Sequence, residues 1–152
     1  MSIWYSKVTK SLGEIVSAIS HFEREIDEAR FECSMKGNLE KQSSNMPGIV
    51  EHRFNQLQEV EAILEHLNTE MRKLRSTKFR KFLENYNRAL SSRDAEKFVD
   101  GEQDVVDLQY LINDFSLVRN KFIGVIKALE AKQFQINNIV KLRAAGLEDI
   151  SL

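Results

Sequence analysis

The densest run of chemically active side chains is Met71-Arg72-Lys73-Leu74-Arg75-Ser76-Thr77-Lys78-Phe79-Arg80-Lys81-Phe82-Leu83, six cations with no acid between them. Aromatic rings are interleaved at Phe79 and Phe82, and Tyr86 and Arg88 follow a turn later. On a helix Arg75, Lys78 and Phe79 share one face, as do Phe79, Phe82 and Tyr86. Cations track a phosphate backbone, and rings offer stacking platforms to unpaired bases. The flanks are acidic: Glu23, Glu25, Asp27, Glu28 and Glu32 upstream, and Asp94, Glu96, Asp100, Glu102, Asp104 and Asp107 downstream. Three readings fit this pattern. The cations can be a solvated face paired with those acids while the rings join the core, they can bind nucleic acid, or they can meet an anionic membrane surface. Sequence-specific reading of a duplex is disfavoured, because no helix-turn-helix or finger framework surrounds the block.

Other chemistry is not signalled, and we expect no enzyme, no metal and no cofactor. His21, His52 and His66 lie far apart, and none has an acid three positions before it, so the Glu-x-x-His and His-Glu-x-x-His metal patterns are missing. The glycines stand singly and form no phosphate loop. There is no strand on which a nucleophile elbow could sit. Cys33 is the sole cysteine and reads as a small apolar residue on a helix face.

The elements that must position the block are helices. One proline and six glycines leave few places to turn, and net charge is −1, so bulk electrostatics selects no partner class. An amphipathic first segment spans 1–37, with Trp4, Val8, Leu12, Ile15, Ile19, Phe22, Ile26, Ala29 and Cys33 at alternating steps of three and four. Gly37 is a natural stop. The Ser, Asn, Pro and Gly residues of 38–48 predict a loop. A second long helix carrying the basic block is expected over 49–90, on the stripe Val50, Phe54, Leu57, Val60, Leu64, Leu67, Met71 and Leu74. A short helix and turns occupy 91–103. The last helix, 104–146 before a tail at 147–152, has a heptad seam of Leu108, Leu111, Phe115, Val118, Phe122, Val125, Leu129, Ile136 and Ile139, with Lys132 at one seam position. A second line (Val105, Ile112, Ile126, Val140) widens it beyond a two-stranded coiled coil, so this helix, roughly 60 Å long, must touch at least two neighbours. The predicted fold class is all-α: long amphipathic helices in an elongated bundle or coiled-coil arrangement, with the C-terminal helix oligomerising.

Three stretches resemble the UvsY-type recombination mediator proteins of tailed phages. Leu39-Glu40 through Met46-Pro47 to His52-Arg53-Phe54 is similar to a proline-bearing lead into an aromatic helix. Arg80-Lys81-Phe82-Leu83-Glu84-Asn85-Tyr86 resembles the family's basic segment. Lys132-Gln133-Phe134-Gln135-Ile136-Asn137-Asn138-Ile139, with Ala145-Gly146, resembles its C-terminal helix and tail. The family's glycine-bearing turn after the basic segment is absent here, and the first helix is longer. The resemblance implies a homo-oligomeric, non-enzymatic mediator that binds single-stranded DNA, weakens the grip of a single-strand-binding protein and helps load a RecA-like recombinase. Arg72, Lys73, Arg75, Lys78, Arg80, Lys81 and Arg88 would contact phosphates, and Phe79 and Tyr86 would stack on bases. Phe122, Leu129, Phe134, Ile136, Ile139 and Leu142 would line the subunit interface. The competing class is a helical structural or adaptor protein, also possible in a virus, that acts through helix–helix contacts without nucleic acid. No stretch is apolar enough to span a bilayer and the N-terminus lacks a secretory pattern, so the expected setting is cytoplasmic, the host's if the protein is viral.

Overall fold

The computed structural model describes residues 2–85 and 89–147. It contains five α-helices and, among the described residues, no strand: α1 Ile3–Lys10, α2 Ile15–Glu32, α3 Leu39–Asn85, α4 Ser92–Asp100 and α5 Gln103–Ala144. The fold class expected from the sequence is the one observed. None of these helices is long and apolar enough to cross a membrane.

α5 is the spine. Leu108, Phe115, Val118, Phe122, Val125, Leu129, Ile136 and Ile139 are all buried, following the heptad spacing. Two helices of the same chain cover them. α3 runs antiparallel to α5, so that Lys78 meets Glu102 and Asp104 while Val50 and Phe54 lie beside Leu129. α2 runs parallel to α5, with Glu23 opposite Lys121 and Glu32 opposite Lys132. Phe22 of α2 sits edge-on to Phe115 and Phe122, at centroid distances of 6.2 and 5.9 Å.

This corrects part of the expected subunit interface. Phe122, Leu129, Ile136 and Ile139 are core residues, satisfied within one chain, whereas Phe134 is 63% exposed and Leu142 37%. The two neighbours that the wide stripe requires are α2 and α3 themselves.

Two boundaries also differ from the sequence reading. Residues 38–48 are helical almost throughout: Asn38 caps α3 by accepting the Lys41 N–H on its side chain, and Pro47 lies inside the helix. Leu39 and Met46 are buried, and their spacing continues the stripe of the helix that follows. Tertiary burial outweighs the local preferences of Ser, Asn, Pro and Gly here. Conversely, the first segment breaks, at an extended Ser11 and a 3₁₀ turn over Leu12–Glu14. Trp4 and His21 would be about 25 Å apart on one continuous helix, yet their rings stack at 5.2 Å. α1 therefore folds back. Its end is held by Glu59 of α3, whose Oε1 accepts the N–H groups of Trp4 and Tyr5 at 2.8 and 3.1 Å.

Arg53 is a buried cation in α3, 3% exposed. Its Nε and Nη2 donate to the two oxygens of Glu32, each at 2.8 Å. Its Nη1 donates to Glu25 at 2.8 Å and Gln56 at 2.9 Å, and Gln56 also donates to Glu25. Burial raises the Glu25 carboxyl pKa, but the hydrogen bonds from Gln56 and Arg53 and the Arg53 charge outweigh it and leave the group below its ordinary value. Nearby, Lys132 donates its Nζ to the Glu32 carbonyl at the C-terminal end of α2, at 2.6 Å. A cation there also meets the negative end of the helix dipole.

Phe122→Ala is expected to cost about 3–5 kcal/mol in urea unfolding, and Phe134→Ala less than about 0.5. Arg53→Met leaves two partly exposed carboxylates unpaired and should cost about 2–3 kcal/mol, at or below the usual cost of breaking a buried pair. Because the Glu25 pKa is lowered on folding, its contribution is complete above the free glutamate pKa of about 4.3 and is lost as pH falls through the lower folded value. Urea midpoints measured against pH should therefore fall less steeply in acid for Arg53→Met than for the parent.

Candidate nucleic-acid interface

The basic block occupies the last turns of α3, at the end of the bundle where α4 and the start of α5 lie alongside. The helix divides the block between two faces. Met71 is buried, and Leu74, Arg75, Lys78, Phe79 and Phe82 are half-buried on the side facing α4 and α5. Arg72, Lys73, Arg80 and Lys81 are exposed on the other side. The shared face of Arg75, Lys78 and Phe79 is thus the inward one. Phe79 packs partly against the core and lines an open pocket of about 240 Å³ with Arg75, Ser76, Glu96 and Val99. Tyr86 and Arg88 lie outside the described residues.

The acidic downstream flank folds back onto the cations. Arg75 bonds Asp100 at 2.6 Å, and Lys78 bonds Glu102 at 3.0 Å and Asp104 at 2.8 Å. Lys78 has a side chain only 16% exposed. Hydrogen bonds to Asp104 and then Glu102 raise its ammonium pKa, and the same bond from Lys78 lowers that of Asp104. Arg72 reaches Glu65 at 3.2 Å and Lys73 reaches Glu70 at 2.7 Å. Arg80 and Lys81 have no carboxylate within 4.0 Å among the described residues.

These pairs are not equivalent. Arg72, Lys73 and Arg75 are held by exposed or half-exposed contacts of the kind worth about 0–1 kcal/mol, so a phosphate can replace the carboxylate. Lys78, with two partners and little solvent, is a tie between α3 and the start of α5.

One aromatic surface was not anticipated. Phe98 of α4, 45% exposed, stacks on Phe82 at 5.6 Å with planes 25° apart. α4 begins at Ser91, whose hydroxyl accepts the Asp94 N–H and donates to its carboxylate. In sequence Phe98 sits inside the acidic flank, and only the return of α4 along α3 brings it against Phe82. Among the described residues no group of three or more His, Cys, Asp and Glu could hold a metal ion.

No protein-family model, curated protein or solved structure matches this chain.

Arg75→Ala is expected to change the urea unfolding free energy by less than about 1 kcal/mol. A larger loss would mean that Asp100 and Arg75 hold α4 in place and are not available for exchange.

Proposed function

We infer that the chain is a non-enzymatic recombination mediator that binds single-stranded DNA through the end of α3. The observation that supports this is the exposure of Arg80 and Lys81, with no carboxylate within 4.0 Å among the described residues, within the stretch that resembles the mediator family. Arg80 and Lys81 take the phosphates. Arg72, Lys73 and Arg75 add contacts by exchanging weak internal partners. Four of the block's six cations meet five carboxylates (Glu65, Glu70, Asp100, Glu102 and Asp104), so one protomer binds weakly. Useful affinity requires several copies on one strand, where effective concentration multiplies weak contacts. Loading of a RecA-like recombinase and loosening of a single-strand-binding protein follow from the family resemblance.

The internal neutralisation of the block favours a second reading, a helical adaptor that touches no nucleic acid. The two separate in a salt titration with a fluorescent oligonucleotide. Two phosphates neutralised by Arg80 and Lys81 give a slope of log K against log salt near −1.4 for each bound protomer, steeper by about 0.7 for each of Arg72, Lys73 and Arg75 that joins. The Arg80→Glu, Lys81→Glu double variant should lose binding with helicity unchanged. Lys78→Gln should weaken the fold more than it weakens binding per folded molecule. Undiminished binding by the double variant would remove the interface proposed here. Absence of salt-sensitive binding by the parent would leave the adaptor.

A further inference from the structure

A second surface lies at the other end of the bundle. Arg53 and Lys132 point from α3 and α5 towards α2. The next residue on each helix, Phe54 and Gln133, lies about 100° further round, on the face that α2 leaves open. There the two helices enclose a groove of about 600 Å³, walled by Met46, Val50, Phe54 and Leu129. Phe54 is 48% exposed although it belongs to the apolar stripe of α3. A volume of this size admits several apolar side chains.

The rim carries a sign. Glu51 on α3 and Glu130 on α5 both line the groove. Glu51 accepts only the neutral Asn55 amide, and neither carboxylate has a cation within 4.0 Å among the described residues. An apolar trough between two uncompensated carboxylates complements a helix whose apolar anchors are flanked by lysine or arginine.

We propose that the groove beside Val50 and Phe54, floored by the buried Leu129 and rimmed by Glu51 and Glu130, docks a basic amphipathic helix of a partner protein. It lies about 40 Å along α3 from Arg80 and does not depend on the nucleic-acid reading. The apolar anchors enter beside Phe54, and the cations meet Glu51 and Glu130. The opposed carboxylates exclude acidic helices of the same shape.

The test uses the full chain and two labelled helical peptides with leucines at i, i+4 and i+7, one flanked by lysines and the other by glutamates. Fluorescence anisotropy should show binding of the lysine peptide only. Glu51→Lys with Glu130→Lys should weaken it about tenfold or more and confer binding of the glutamate peptide. Phe54→Ser should weaken the lysine peptide with the rim intact. Both sites are solvent-facing, so circular dichroism should report unchanged helicity. Equal binding of the two peptides, no binding of either, or lysine-peptide binding indifferent to all three substitutions would overturn the proposal. So would loss of self-association in the Glu51→Lys, Glu130→Lys variant, measured by light scattering, since the groove would then belong to a second copy.

Discussion

Everything in this molecule rests on the burial of one seam. α5 carries more apolar surface than a single neighbour can cover, so α3 and α2 must lie along two of its flanks at once. The α1–α2 bend, the helical course of residues 39–46 and the return of α4 all follow from keeping that seam dry. Leu39 and Met46 show how strong the constraint is. It holds a helix through a segment rich in Ser, Asn, Pro and Gly because unwinding would expose both residues.

A heptad seam alone does not fix register, since sliding one helix by seven residues restores most apolar contacts. Polar contacts between helices remove that freedom. Arg53 to Glu25 and Glu32, Lys132 to the Glu32 carbonyl, Glu59 to the first turn of α1, and Lys78 to Glu102 and Asp104 each pair groups that a slide would separate. Such pairs are costly to break although their net contribution is small. They tie all three long helices at points spread along the bundle.

The same pairing shapes the charged end. Net charge near zero is achieved locally, by bringing the acidic segment after α4 against the basic end of α3. Arg80 and Lys81 at one end, and Glu51 and Glu130 around an apolar groove at the other, are among the many surface charges that no internal tie engages within 4.0 Å among the described residues.

The sequence by itself determined the helical class and the residues of the α5 seam, because periodicity at three and four residues is a local property of the chain. It also marked the basic block as unusual. Only the tertiary structure decided which face of that block turns inward, since helical spacing places Arg75, Lys78 and Phe79 together without saying whether they meet solvent or α5. Phe122, Leu129, Ile136 and Ile139 looked equally fit for a core or a subunit contact, and the packing of α2 and α3 along α5 made them core. Arg53 and Phe98 gave no local signal of their roles, because a buried ion cluster and a cross-helix ring stack are made by residues distant in the chain.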